Sequence, residues 1–203
     1  MTAAELRSDH LLPPAWKPSQ EVGWWAMALV CASEAALFAY FIVSYFYLGV
    51  VNPAWPPAGV ELPKLEKPLI MTAMLLSSSI VLILAEKQRE HGKRAVYRAG
   101  MVVTVLLGAA FLGMQAIEYH EKVKSLGPTS NAYASLFYTI TGFHGAHVAF
   151  GLLLLLFTLL RDVRGRIDPE RPIPVKVASL YWHFVDAVWL VILTTLYVSP
   201  RWT

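Results

Sequence analysis

Five long apolar blocks alternate with shorter polar segments along the chain. From Ala132 to Leu160 no Asp, Glu, Lys or Arg interrupts the run, which is longer than the ~20 residues that cross a bilayer. The blocks predict transmembrane helices over 22–50, 69–85, 95–117, 132–160 and 175–199. Aromatic residues mark the two interfaces of the first, Trp24 and Trp25 at one end, Tyr45 and Tyr47 at the other. Small residues recur at helical spacing: Gly100, Thr104 and Gly108 in the third block, Gly142 with Ala146 and Gly145 with Ala149 in the fourth. Such ridges let membrane helices approach closely. The fold class is therefore all-α, a polytopic membrane protein with five helices in a bundle.

The connections read as polar punctuation. Residues 1–21 form a lead with Pro13, Pro14 and Pro18, expected to be extended and without the apolar core of a cleavable signal. Residues 51–68 hold Pro53, Pro56, Pro57, Pro63 and Pro68, a rigid connector that no helix interior would tolerate. Glu86 to Arg94 is expected to be a charged loop, and Lys122 to Ser130 turns at Gly127-Pro128. Residues 161–173 carry four arginines with Pro169 and Pro172, and 200–203 form a short external tail. The helical domain is 22–199.

Composition agrees. The 203 residues are 56% hydrophobic and 15% charged, against roughly 25% charged in soluble domains. A pI near 9.0 would suggest nucleic acid in a soluble protein; here basic residues mark cytoplasmic loops, and no nucleic acid is expected. Twelve of the seventeen Lys and Arg fall on the side of the N-terminus and of the loops after the second and fourth helices. The positive-inside rule then puts the N-terminus in the cytoplasm and the C-terminus outside. The single cysteine, Cys31, has no internal partner for a disulfide.

Five ionisable side chains lie well inside the spans: Glu34, His144, His147, His183 and Asp186. A carboxylate at mid-bilayer costs about 3 kcal/mol on insertion scales, so it should face protein or water. His144 and His147, three apart, fall on nearly one face. Trp182, Asp186 and Trp189 share a face of the last helix, and His183 is one turn from Asp186. Gln115, Glu118, Tyr119 and His120 give the third helix a polar exit.

Four readings remain open on residues alone. A bis-histidine haem would pair His144 or His147 with His183 across facing helices. Glu34, the two histidines of the fourth helix and Asp186 are plausible ligands for iron or zinc, although the spans hold no Glu-x-x-His. A proton-coupled carrier could work through Glu34 and Asp186, although no internal repeat is visible. In the fourth reading these side chains bond across helices, and the chain is an accessory subunit held to partners and lipid by buried polar contacts. Nothing resembles a nucleophile elbow or a phosphate loop.

Several stretches together resemble subunit III of the haem-copper oxidases. Phe137-Tyr138, then Thr141 to Val148 and Gly151, is similar to the family's FHG-x-HV helix. Tyr181 to Asp186 with Val188-Trp189 is similar to its final YWHFVD-x-VW. Ser33-Glu34 with Phe38, Gln115 with Glu118-Tyr119, and Trp55-Pro56-Pro57 resemble further family patterns, in the family's order. The resemblance implies the five-span bacterial form, lacking the first two helices of seven-span members. Those two helices line a lipid cleft, so here another subunit or lipid would have to supply its wall.

The resemblance also implies a role. No catalytic, cofactor or metal site is expected on this chain; haem and copper would sit in partner subunits. The implied partners are oxidase subunit I in direct contact, subunit II and other oxidase subunits, bound phospholipid, and cytochrome c or quinol as donor to the complex, in the bacterial cytoplasmic membrane. The chain would sustain proton uptake by subunit I and protect it during turnover. Glu34, His144, His147, His183 and Asp186 are then expected as a buried polar or lipid-facing network, with Glu118, Trp182 and Trp189 secondary to it. Glu34 in place of the Asp of quinol oxidases favours the cytochrome c type. A quinol oxidase subunit III and a nitric-oxide-reductase-associated relative are the alternatives within the superfamily; a free-standing cytochrome b or a carrier is the alternative outside it.

Overall fold

The computed structural model describes residues 20–52, 54–57, 60, 64–168 and 172–201. The polar lead up to residue 19, Pro53, Pro63, Pro169 and the last two residues of the tail lie outside them. Five α-helices follow one another: α1 (Gln20–Val51), α2 (Glu66–Glu90), α3 (Arg94–Lys122), α4 (Ala132–Val163) and α5 (Ile173–Ile192). Each is long and apolar enough to cross a membrane, and among the described residues there is no strand.

The helices outrun the apolar blocks that mark them. Pro68, expected in the loop, lies in the first turn of α2, where the missing N–H would have had no partner in any case. Its carbonyl accepts a bond from the Thr72 hydroxyl at 2.7 Å. The expected loop over 86–94 shrinks to His91-Gly92-Lys93, because Lys, Gln, Arg and Glu are good helix formers. The stop comes from Gly92 at φ 77°, with the Lys93 N–H returning to the Gln88 carbonyl at 2.9 Å. Gly165 at φ 66° ends α4 in the same way. Asn131 caps the start of α4, its side chain accepting from the Ala134 N–H at 2.8 Å. The last span does not stay α-helical to residue 199: Leu193–Val198 is a π-helical turn, followed by a 3-10 turn over Ser199–Arg201.

Helix α5 is central, packed against α1, α2 and α4. The short turn lays α2 along α3, which also packs on α4. The core is aromatic, with Trp182, Trp189, Tyr97, Phe111 and Phe137 fully buried. Gly108 makes room for it, since a Cβ there would lie 2.6 Å from the Trp182 ring. Gly100 does the same opposite Ala85, so the small-residue ridge of α3 is used as its spacing predicts. Helix α1 is attached by a narrow seam of Cys31, Phe38 and Tyr45, one residue every second turn.

Candidate functional site

The five intramembrane ionisable residues fall into separate places. Glu34 of α1 meets His147 of α4, Oε2 to Nε2 at 3.1 Å, and the other ring nitrogen of His147 lies 2.7 Å from the Phe143 carbonyl. Phe38 sets its edge on the His147 ring at 5.1 Å between centroids. The glutamate side chain keeps about a third of its surface exposed (35%), His147 much less (14%).

His144 does not join them, contrary to the expected cross-helix bond. Three residues on a helix turn the side chain by about 60°, enough to move it off Glu34 and into the core, where it meets Phe38 of α1 edge-on at 6.4 Å. Its ring is fully buried, stacked on Trp189 at 5.1 Å and edge-on to Phe111 at 5.7 Å. Among the described residues neither ring nitrogen has a hydrogen-bond partner.

Along the α2–α5 contact, hydroxyls meet the polar edges of the α5 face. Trp182 Nε1 donates to Ser78 Oγ at 3.0 Å, and Trp189 Nε1 donates to Thr72 Oγ1 at 2.8 Å. The pairs descend on α2 as they ascend on α5, as two antiparallel helices require. One residue on from Ser78, Ser79 donates to Asp186 Oδ2 and lies 2.9 Å from His183 Nδ1. Trp182, Asp186 and Trp189 thus share the buried face that their spacing indicates. His183 and Asp186 are joined through Ser79.

The α3–α4 contact is polar toward its other end. Gln115 Nε2 donates to the Thr141 carbonyl at 2.6 Å. The Thr141 hydroxyl is spent on the Phe137 carbonyl at 2.6 Å, so the Tyr119 hydroxyl donates to Thr141 Oγ1 at 2.5 Å. Gly145 leaves space for Gln115, whose amide oxygen would be 2.9 Å from a Cβ there. Ala146 is exposed, so the Gly142–Ala146 pair is not wholly turned inward. Glu118 is buried and paired with Lys122 at 2.5 Å, and that ammonium lies 4.2 Å from the centre of the Phe137 ring.

The charged end holds an acid that pattern reading passed over. Asp162, 1% exposed, receives Arg98 Nε on Oδ2 at 2.8 Å, with Arg89 Nε 3.6 Å from Oδ1. Arg98 Nη2 also donates to the Asp162 carbonyl at 2.9 Å, so Arg98 is held by protein at two points. The available signal is an acid directly beside Arg161, within the helix end and ahead of the turn. Ser79 gave none beyond being one of three consecutive serines.

Glu34, the α4 histidines and Asp186 do not converge as the ligand set of a metal site. Among the described residues no three His, Cys, Asp or Glu side chains gather to hold an ion. What the geometry does is tie helix to helix, with Glu34 on α1, Ser79 on α2, Gln115 and Arg98 on α3, all reaching α4 or α5.

Likeness to known proteins is decisive at this point. A family model described as cytochrome c oxidase subunit III matches residues 19–202. The chain belongs to the cytochrome c oxidase subunit III family. It is 37% identical to cytochrome c oxidase subunit 3 of Thermostichus vulcanus over 174 residues, covering 83% of each chain. It is 36% identical to the subunit 3 of Synechocystis over 173 residues, 85% of this chain and 73% of the relative. The subunit 3 of Gallus gallus is 36% identical over 184 residues, 88% and 68%. Membership in this subunit III family makes the chain a multi-pass membrane protein. The family match includes Glu34, His144, His147, His183 and Asp186 within its span.

Proposed function

We propose that the chain works as the non-catalytic third core subunit of a proton-pumping terminal oxidase, packed on subunit I and supporting its proton uptake. The observation that carries this reading is the subunit III match over nearly the whole chain, together with intramembrane side chains spent on helix-to-helix bonds. Haem and copper then reside in partner subunits, subunit I is the direct neighbour, subunit II completes the core, and phospholipid fills the membrane-facing grooves. The excess of Lys and Arg beside the α2–α3 and α4–α5 turns supports a cytoplasmic N-terminus in a bacterial inner membrane. Glu34 supports cytochrome c over quinol as the donor to the complex.

The test is purification of the tagged chain in mild detergent, with a reduced-minus-oxidised spectrum and a gel of what accompanies it. The expected result is a-type or o-type haem together with a large co-purifying membrane subunit. Oxidation of reduced cytochrome c by that preparation would then assign the donor. Stoichiometric b-type haem on this chain alone would overturn the reading.

A further inference from the structure

The bond between Ser79 and its two α5 neighbours has a proton inventory. Two contacts, His183 Nδ1 to Ser79 Oγ and Ser79 Oγ to Asp186 Oδ2, each need one hydrogen, and the hydroxyl supplies one. The second comes from one end. Either His183 Nδ1–H donates to Oγ and the hydroxyl donates to Asp186, or the Asp186 carboxyl donates to Oγ and the hydroxyl donates to Nδ1. Passing between the two breaks Nδ1–H as Oγ–H forms, and breaks the old Oγ–H as Oδ2–H forms. With Nε2 also carrying a hydrogen, two protons move and no electrons do, and imidazolium with carboxylate becomes Nε2–H imidazole with carboxylic acid.

We infer that Ser79, His183 and Asp186 form a proton-binding site at mid-span, in which the Ser79 hydroxyl relays a proton between a partly exposed imidazole and a buried carboxyl. Asp186 is 5% exposed, and its Oδ1 has no partner among the described residues. A carboxylate with so few donors is poorly compensated away from water, and a proton held along the chain removes that charge. His183 is the open end, its ring only partly covered. Among the described residues the neighbouring helices bring no rival ion. From α2 come the hydroxyls of Ser78 and Thr72, both occupied by indole N–H groups. From α4 comes His144, stacked on Trp189, and the Glu34 carboxyl of α1 is engaged by His147. The site is a property of this chain and stands whichever complex the chain joins.

The test is infrared spectroscopy of the full chain in detergent, in H2O and after transfer to D2O. Asp186→Asn identifies the protonated-carboxyl band. In the parent and in Ser79→Thr, which keeps the hydroxyl, that band exchanges rapidly. In Ser79→Ala and His183→Phe it exchanges at least about tenfold more slowly, because the hydrogen-bonded chain is cut. If Ser79→Ala does not fold, Ser79→Thr against His183→Phe decides. Unchanged exchange in the cut variants overturns the proposal, as does a spectrum from which Asp186→Asn removes no such band between about pH 5 and pH 8.

Discussion

Nε2 of His147 lies 3.1 Å from Oε2 of Glu34, and the two must share a proton. The Phe143 carbonyl, 2.7 Å from Nδ1, can only accept. Nδ1 therefore carries a hydrogen, and the remaining contact needs another, on Nε2 or on the carboxyl. Either assignment leaves the pair without net charge, which suits a glutamate partly exposed at mid-span.

Glu34→Gln, whose amide can donate to Nε2, should hold α1 as the parent does, while Glu34→Ala releases it. The cost of release is about 0.6 to 2 kcal/mol, the range of hydrogen bonds between membrane helices, read by unfolding the purified chain in detergent. In the assembled oxidase Glu34→Ala should keep its haem content but lose activity faster during turnover. Equal decay in variant and parent counts against that role.

Asp162→Ala should damage the fold more than any substitution at Glu34. It leaves Arg98 and the buried Arg89 without their common anion, and breaking a buried pair costs about 3–5 kcal/mol. Arg98→Lys keeps the charge but not the double contact to carboxylate and carbonyl, so its loss is smaller. Thermal unfolding of the full chain in detergent ranks them; an Asp162→Ala chain as stable as Arg98→Lys would show that the ion pair contributes little.

Two glycines of one helix should respond in opposite ways. A methyl at Gly108 meets both Trp182 and Leu152 inside 3 Å, whereas one at Gly113 meets nothing within 4 Å. Gly108→Ala should destabilise by about 1–3 kcal/mol through overpacking. Gly113→Ala should be neutral or stabilising, by up to about 1 kcal/mol, through helix propensity. Melting curves of the two variants beside the parent test the difference.

Ser78→Ala removes the acceptor of the buried Trp182 indole. The orphaned N–H should cost about 1–2 kcal/mol, and Trp182 fluorescence should shift as its ring repositions. A double variant with Trp182→Phe should recover part of the loss, since the unpaired donor is then gone.

Periodicity exposed the helices because a bilayer demands long uninterrupted apolar runs with internally satisfied backbones. It also placed Trp182, Asp186 and Trp189 on one buried face, a matter of spacing within α5. It does not place His144, because three residues are not quite one turn and 60° separates the ring that meets Glu34 from one in the aromatic core. It missed Asp162 and Ser79 because their partners lie 64 and 107 positions away along the chain. Helix ends were misjudged where charged helix formers continue a helix beyond its apolar stretch, as at Glu86 to Glu90.

The π-helical turn of Leu193–Val198 places Thr195, Leu196 and Tyr197 side by side in the interior, where the α-helices of the described residues bury at most two in succession. Such a turn spends one more residue per circuit than an α-helical one. It is therefore a store of slack: deleting a residue there can restore the regular ladder, whereas deleting one at Val185 would rotate every anchor beyond it. Length changes among relatives in this helix should gather at that turn, and the end of the span can shorten without disturbing the face that carries Trp182, Asp186 and Trp189.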